Sequence, residues 1–453
     1  MVSQSKKEDY PMENKTEKTF RDPYSQIGHK LHLLLHTGQL LMENGADTDR
    51  TVRDMMRAAA YMGIPADKIH QHVMYTTLML NVNDDEHTYT EFRKCTHHGV
   101  NMTILSAVSK LSWRAMRDNY SLEKYEAELE RIKSLPHHYS PLLTALGAGF
   151  ACGGFCKLFG CDWIAFFCTA LCAFIGFYVR RICNSYGFNP YAGIAIASFS
   201  ATLLAYFTQF FSGSATPWYP MIACTLFIVP GIPLINAVDD LLNNYIVSGT
   251  TRAINTLLIV GSMTFGIVIA IRLGNVADFT SISLQPDEIY FSQAVAAAIA
   301  SIGFSMIFNV PRRLLPILAL GGILAVGLRN IAVLQFGMSQ AAGSFLGAAA
   351  VGILALKAVH WFHTPNIILT IPSAIPMIPG VLLYRLLFEL INIRSIDAAA
   401  LMDGLRSGVE AVTIIVAIAV GVTIPNIFMH RYIEKLKQQQ IEELLSERYH
   451  NET

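Results

Sequence analysis

The chain has 453 residues, of which 52% are hydrophobic and only 15% are charged, well below the roughly 25% of an ordinary soluble domain. Its net charge is zero and it has no long basic stripe, which argues against a nucleic-acid partner. Charged residues are concentrated in 1–140 and are sparse over 141–430, which indicates a soluble first third followed by a membrane-embedded remainder.

The start of the chain predicts a polar tail and then a small folded domain. Residues 1–22 are rich in Lys and Glu and are expected to be disordered. Over 23–135 we predict a cytosolic α+β domain. It opens with two helical apolar repeats, at 31–42 and 52–60, and the Asn-Gly-Ala-Asp sequence at 44–47 reads as a helix end followed by a new cap.

The rest of this domain predicts two strands and two helices. Residues 72–82 and 88–93 have the composition of strands, with a turn at 83–85 between them. Helical spacing returns at 104–111, and a charged helix over 121–134 leads into the apolar part of the chain.

Apolar runs follow one another from residue 141, and each is long enough for the roughly 20 residues that a membrane-spanning helix needs. The sequence therefore predicts a membrane all-α bundle with about ten transmembrane helices. These spans are placed at 141–159, 162–183, 188–211, 217–240, 248–273, 288–310, 313–334, 338–361, 366–393 and 402–429. A charged C-terminal helix is expected over 430–453.

Basic residues in the connecting loops predict the orientation of the spans. If the N-terminus is on the cytoplasmic side, the basic residues of three connecting segments fall on that side too. These are Arg180-Arg181, Arg312-Arg313 and the basic residues after span ten. The loop at 274–287, which has acids but no Lys or Arg, falls outside. The polar composition of residues 1–22 predicts that the chain does not open with a signal peptide. We expect a multi-pass protein of the cell membrane (inner or plasma membrane) with both termini in the cytoplasm.

Two Pro-Gly segments occupy matching places in the two halves of the bundle. Val229-Pro230-Gly231 lies in span four, and Ile378-Pro379-Gly380 lies in span nine. An acid follows each glycine by nine residues, Asp240 in the first half and Glu389 in the second.

A second spacing matches in the same order, because Asn255 precedes Gly266 by eleven residues and Glu410 precedes Gly421 by eleven. The two halves, 141–273 and 288–429, are therefore predicted to be a five-helix repeat. Since five is odd, the second copy would enter the membrane from the opposite side, as an inverted repeat.

The Pro-Gly segments predict broken helices and, with them, a transport site. Proline removes a backbone donor and interrupts a helix, and the freed groups must be buried in protein or face a polar cavity. Simple kinks without a ligand are the alternative. Residues predicted to bind substrate are Pro230, Gly231, Pro233, Asn236, Asn255, Pro379, Gly380 and Arg385.

Acids within the spans are candidates for proton coupling, because charges inside a membrane usually face an interior path or each other. Those selected are Asp240, Glu389 and Glu410. Arg385 could bind a substrate carboxylate in a bidentate contact or pair with Glu389 four residues on. Hydrogen bonds between helices are the alternative role for the asparagines.

Other kinds of site find little support. His29, His32 and His36 share a helix face and seven of eight cysteines lie in or beside apolar runs, but no metal-binding or catalytic spacing appears. No phosphate-binding GxxxxGK[ST] loop and no GxSxG nucleophile motif is present, so we expect no metal or cofactor and no enzyme activity. A membrane-anchored hydrolase remains the alternative.

Several of these segments resemble the threonine/serine exporter (ThrE-type) family, which includes the two-component YjjP/YjjB-like systems. The similarity rests on residues 37–41 leading to 44–47, on the Val229–Pro233 break with its following acids, and on the Ile378–Gly380 segment. The order of parts also matches over about residues 25–428, and the two halves look fused near 274–288.

What the resemblance implies is secondary transport of small polar metabolites: threonine and serine export driven by the proton motive force, or export of small dicarboxylates such as succinate. The expected partners are that substrate, protons and the lipid bilayer, and a homo-oligomer is left open. The resemblance assigns no substrate-binding residue, so the candidate sites rest on the residues themselves.

Overall fold

The computed structural model describes residues 23–83, 87–210, 213–276, 290–362, 364–393 and 398–452. The predicted disordered tail over 1–22 and most of the predicted fusion region lie outside the described residues. Two parts follow each other along the chain: an N-terminal unit of helices and a small sheet, and a large helical bundle.

The N-terminal unit packs four helices around one face of a three-stranded antiparallel sheet. Its helices are α1 (Pro23–Glu43), α2 (Thr48–Tyr61), α3 (Met102–Arg117) and α4 (Leu122–Lys133). The predicted cap at 44–47 is confirmed, because the Asp47 carboxylate accepts from Arg50 N at the start of α2. Buried Leu, Met and Tyr side chains from all four helices form the core.

The sheet corrects the prediction of two strands, because the described residues form three: β1 (Ile69–Val73), β2 (Thr77–Asn83) and β3 (Thr88–Lys94), in the order β1-β2-β3. The predicted strand at 72–82 is interrupted by a tight turn in which Met74 N donates to Thr77 O. This turn contains neither Gly nor Pro, and Tyr75 within it is buried against the bundle. The composition of the turn therefore resembles that of a strand, which is why one continuous strand was predicted.

The first half of the bundle runs from α5 to α10. These helices are α5 (Pro141–Leu158), α6 (Trp163–Ser185), α7 (Pro190–Thr208), α8 (Tyr219–Ala223), α9 (Gly231–Leu242) and α10 (Ile246–Leu273). Polar caps fix the starts of three of them: Ser140 accepts from Leu143 N, Asp162 from Ala165 N and Asn189 from Tyr191 N.

The second half has the same succession. Its helices are α11 (Tyr290–Ile307), α12 (Leu315–Asn330), α13 (Gln340–Phe362), α14 (Asn366–Ala374), α15 (Gly380–Ile391) and α16 (Ala398–Glu452). The predicted separate C-terminal helix over 430–453 is instead the end of α16, which continues through Pro425 without a stop. Proline is tolerated there because neighbouring helices can satisfy the freed backbone groups.

Within the described residues, eight helices are long and apolar enough to cross a membrane, and two bent pairs bring the number to ten if each pair is one crossing. The first pair, Tyr219–Ile228 with Gly231–Leu242, is bent by 59°, and the second, Asn366–Met377 with Gly380–Ile391, by 55°. Both bends fall at the predicted Pro-Gly segments, so the predicted helix breaks are confirmed.

The N-terminal unit contacts one end of the bundle, which we call the near face; the opposite end is the far face. Thr48 contacts Asp240 at the end of α9, and Thr103 donates to Asn309 O between α11 and α12. On the far face Arg272 Nη2 lies 2.6 Å from Asn392 Oδ1, joining the ends of α10 and α15.

Candidate functional site

The two helix breaks pack directly against each other at the centre of the bundle. A Cβ atom on Gly231 would lie 2.5 Å from Ile378 Cδ1, and one on Gly380 would lie 2.9 Å from Val229 Cγ2. Pro230 and Pro379, which precede these glycines, have nearly the same backbone angles, with φ of −81° and −83° and ψ of 68° and 56°. The absence of a side chain at Gly231 and Gly380 therefore lets the two breaks approach each other closely.

A narrow apolar cavity lies at this contact. Its lining residues form four pairs, each separated by 149 positions: Phe155 and Phe304, Leu226 and Ile375, Val229 and Ile378, Gly231 and Gly380. The cavity measures about 10 Å³, about the room that one water molecule needs. In this conformation the breaks leave no space for a polar metabolite between them.

The predicted proton-coupling residue Asp240 belongs to a buried ion pair. Its Oδ2 lies 3.1 Å from Arg252 Nε, and the two residues are 1% and 2% exposed. Its Oδ1 accepts from Thr48 N at 2.8 Å, and Arg252 also reaches Ala46 O at 3.3 Å. Asp240 thus fastens the first turn of α2 to the near end of the α9–α10 hairpin.

Two of the predicted substrate-binding asparagines also contact the N-terminal unit. Asn236 Nδ2 donates to Gly45 O at 3.0 Å. Asn255 Nδ2 donates to Tyr75 Oη at 3.2 Å and its Oδ1 accepts from Tyr191 Oη at 2.7 Å. The Tyr75 ring lies under the Arg252 guanidinium, 4.7 Å away. The asparagines and Asp240 therefore form one polar seam between the two parts of the protein.

The structure places the second-half candidates elsewhere. Glu389 is 4% exposed and packs its Cβ and Cγ against Gly404 of α16. Its helix ends at the far face, where Arg272 meets Asn392. Asp240 contacts Arg252, and Glu389 lies about one turn before Asn392, which contacts Arg272. The two arginines are 20 residues apart on α10, so Asp240 and Glu389 are separated by roughly 30 Å along the bundle. The predicted acids are therefore not brought together in one site.

The remaining predicted residues lie around these features. Pro233 is in the first turn of α9, Arg385 is partly buried in α15, and Glu410 is partly buried in α16. The lining of the central cavity is formed by other residues than these three.

Sequence reasoning missed most of the polar seam. Thr48 Oγ1 lies 2.7 Å from Ser248 Oγ, and Tyr75 and Tyr191 bracket Asn255. A second seam joins the unit to α11–α12, where Asn309 Oδ1 accepts from His138 N at 2.8 Å and its Nδ2 donates to Asn101 Oδ1 at 3.0 Å. The helix cap at 44–47 was the one part of the seam that local sequence could identify. Its partners in the bundle lie about two hundred residues further along the chain.

These features define a multi-pass membrane protein in which two interrupted helices meet at the centre of the bundle, an arrangement found in transporters. A family model described as "Putative threonine/serine exporter" matches residues 32–274, and one described as "Threonine/Serine exporter, ThrE" matches residues 293–428. The chain therefore belongs to the threonine/serine exporter family and carries both parts in one fused polypeptide.

Two curated relatives are similar to the first half of the chain. The "Probable succinate transporter subunit YjjP" of Escherichia coli (strain K12) is 27% identical over 243 residues, covering 53% of this chain and 93% of the relative. The protein of the same description from Klebsiella aerogenes is 26% identical over 242 residues, covering 53% and 92%. No solved structure matches the chain.

Proposed function

We propose that this protein is a secondary exporter of threonine and serine, driven by the proton motive force, in the cell membrane. The observation that carries the proposal is the contact between two broken helices, Gly231 against Ile378 and Gly380 against Val229. Broken helices in matching positions of two halves are the arrangement that transporters use for substrate sites near the bilayer midplane. Parting of the two breaks would widen the small apolar cavity between them.

An inverted five-helix repeat is part of this proposal, and mirrored contacts support it. Gly154 of α5 faces Ala296 and Ala300 of α11; Gly303, 149 positions after Gly154, faces Gly147 and Ala151. The partners are themselves 149 positions apart, and a pseudo-twofold axis between α5 and α11 would account for this equivalence. Rocking of one half against the other about this axis would give alternating access.

The N-terminal unit is proposed to lie on the cytoplasmic side and to gate that side. It contacts the near face through Asp240, Asn255 and Asn309, so it ties the α9–α10 hairpin of the first half to the α11–α12 connection of the second. Arg312, next to the second seam, donates to His138 O and is one of the basic residues that favour a cytoplasmic position.

Export of a small dicarboxylate is the second candidate, and the specific observation in its favour is the similarity to two relatives named as probable succinate transporter subunits. Identity of 27% over half of the chain leaves room for a different substrate. The candidate substrates differ in charge, because threonine and serine carry an ammonium group and succinate lacks one.

Counterflow in proteoliposomes tests both candidates. The full chain is reconstituted, loaded in turn with unlabelled threonine, serine or succinate, and given the labelled compound outside, with and without a pH gradient. We expect threonine and serine to exchange and an imposed pH gradient to drive net movement. Exchange of succinate alone would establish the second candidate, and no exchange of any of the three would refute the proposed function.

A further inference from the structure

Thr48, the first residue of α2, makes two polar contacts with the near end of the α9–α10 hairpin. Its N donates to Asp240 Oδ1 at 2.8 Å, and its Oγ1 lies 2.7 Å from Ser248 Oγ. All three side chains are buried. In a threonine residue the N and Oγ1 atoms are carried by Cα and Cβ, the same two carbons that carry the ammonium and hydroxyl groups of free threonine. Asp240 and Ser248 therefore already hold the two groups that characterise a hydroxy amino acid.

The residues before Thr48 occupy two hydrogen-bond donors of the same hairpin. Gly45 O accepts from Asn236 Nδ2 at 3.0 Å, and Ala46 O accepts from Arg252 Nη2 at 3.3 Å. Both donors lose these acceptors if the segment moves away. A carboxylate is a suitable replacement, because it accepts from a guanidinium in a strong, charge-assisted hydrogen bond. The hairpin thus has donors for a carboxylate as well as an acceptor for an ammonium group.

Asn236 also has an acceptor atom that no donor in the described part of the chain uses. The residue is 1% exposed, and its Oδ1 has no hydrogen-bond partner among the described residues. Buried side-chain acceptors are normally hydrogen-bonded, so this atom indicates a donor that the protein itself does not supply. Asn236 lies one turn before Asp240, on the same face of α9. An ammonium group has three hydrogens to donate, enough for both acceptors, whereas Thr48 N has one.

We propose that four buried side chains of the hairpin form a loading site for threonine and serine, which the segment Gly45–Thr48 occupies as an internal mimic of the substrate. These side chains are Asp240, Arg252, Asn236 and Ser248. The substrate ammonium group binds Asp240 and Asn236 Oδ1. Its carboxylate binds Arg252, and its hydroxyl group binds Ser248. The inference rests on the proposed export of threonine and serine and identifies the residues that first receive them.

Exchange of this segment for substrate links loading to opening of the near face. Thr48 and Ala46 are bound to the Asp240–Arg252 pair, so their displacement loosens the N-terminal unit from the hairpin. Asn236 is five residues beyond Gly231, so the loading site lies about 8 Å from the helix breaks along α9. A substrate that leaves the loading site therefore has a short path to the contact between the two halves.

The groups of the loading site predict its selectivity. Succinate has a carboxylate at each end and no ammonium group, so one end would meet the like charge of Asp240. Alanine has the ammonium and carboxylate groups but no hydroxyl group for Ser248. The site should therefore reject succinate and prefer serine to alanine by roughly three- to tenfold, the effect of one hydrogen bond.

Hydrogen exchange of the purified full chain tests displacement of the segment without measuring transport. Ligand binding usually stabilises a protein and lowers exchange. Threonine or serine should instead raise exchange over residues 45–51, because Thr48 N loses its acceptor on Asp240, and succinate should leave it unchanged. Exchange over 45–51 that threonine leaves unchanged or lowers overturns the inference, and so does an equal rise with succinate.

Competition in proteoliposomes tests the hydroxyl contact. Counterflow of labelled threonine is measured against unlabelled serine or alanine, in wild type, in Ser248→Ala and in the control Ser262→Ala. Ser262 lies in the same helix, but its hydroxyl donates to Leu258 O one turn earlier. Ser248→Ala should lose the preference for serine over alanine, and Ser262→Ala should keep it. An undiminished preference in Ser248→Ala contradicts the assignment.

The two measurements separate this inference from the proposed function. Threonine counterflow in wild type, without a rise in exchange over 45–51, refutes the loading site alone. Absence of threonine counterflow refutes the exporter function, and the loading site with it.

Discussion

Arg252 Nε lies 3.1 Å from Asp240 Oδ2, and this ion pair is buried where the N-terminal unit meets the α9–α10 hairpin. Both charges have further partners in the same short segment of the unit, Thr48 N for the acid and Ala46 O for the arginine. An acid that follows a helix break thus serves to hold two parts of the protein together. Removal of the Asp240 carboxylate should therefore affect the stability of the protein first of all.

The first prediction concerns that pair. Asp240→Asn or Arg252→Ala leaves the other charge buried and unpaired, which costs about 3–5 kcal/mol. Each single variant should therefore melt at a clearly lower temperature than wild type in detergent.

A double variant provides the control for this prediction. Asp240→Leu with Arg252→Met removes both charges and should be less destabilised than either single variant, since no unpaired charge remains. Single variants with wild-type melting temperatures would show that the ion pair does not hold the seam.

Much of the helical framework follows from local sequence. A run of about twenty apolar residues specifies a span, and Pro230-Gly231 and Pro379-Gly380 specify bends because proline and glycine act on their own backbone. The cap at Asp47 is equally local, since its acceptor and the Arg50 N–H are three residues apart. These features could be located without knowing what packs against them.

The polar seams could not be predicted in the same way, because their partners are far apart in sequence. Thr48 and Asp240 are separated by 192 positions, and His138 and Asn309 by 171. An acid in an apolar segment has the same appearance whether it faces a substrate, a proton or an arginine. Asp240 pairs with Arg252 of α10, whereas its neighbour Asp239 contacts Thr423 of α16, and this difference follows from tertiary packing.

The second prediction concerns the contact between the two breaks. Gly231→Ala places a Cβ 2.5 Å from Ile378 Cδ1, and overpacking of this kind costs about 1–3 kcal/mol. The variant should be less stable and slower in counterflow. Ile378→Val removes the Cδ1 atom, so the double variant should recover both properties.

A glycine with open space beside it is the control for this experiment. Among the described residues, no atom beyond the chain neighbours and the surrounding helix backbone lies within 4 Å of the position that a Cβ on Gly261 of α10 would occupy. Gly261→Ala should therefore be neutral or stabilising by up to about 1 kcal/mol. If Ile378→Val failed to rescue Gly231→Ala, the break would need glycine for its backbone and not for the contact.

The third prediction is a pH dependence of the N-terminal unit. Burial, with a smaller effect of Arg93, lowers the pKa of His36 from 6.5 to about 4, although Glu130 opposes this shift. Since the folded state binds the proton less readily than the unfolded state, His36 contributes stability above pH 6.5 that is lost as the pH falls towards about 4.

Thermal melting over that pH range provides the measurement. His36→Gln should flatten the decline between pH 6.5 and about 4 relative to wild type, while the exposed His70→Gln should leave it unchanged. An equally steep decline in His36→Gln would assign the pH dependence to other groups.

The fourth prediction concerns Asn309 at the second seam. Its φ of 53° lies in the left-handed region, and its side chain accepts from His138 N and donates to Asn101 Oδ1. Asn309→Gly keeps the backbone conformation and loses both hydrogen bonds. Asn309→Ala loses the bonds and adds a backbone strain of about 1–2 kcal/mol.

Hydrogen exchange of the N-terminal unit distinguishes these two contributions. Asn309→Gly should raise exchange at the start of α3 and around His138, because the two hydrogen bonds of the Asn309 side chain are lost, and Asn309→Ala should raise it further. Equal exchange in both variants would show that the backbone at this position is not strained. Wild-type exchange in both would show that the Asn309 side chain is not needed to hold the unit, and that the α9–α10 seam and the other contacts of the second seam, such as Thr103 to Asn309 O, suffice.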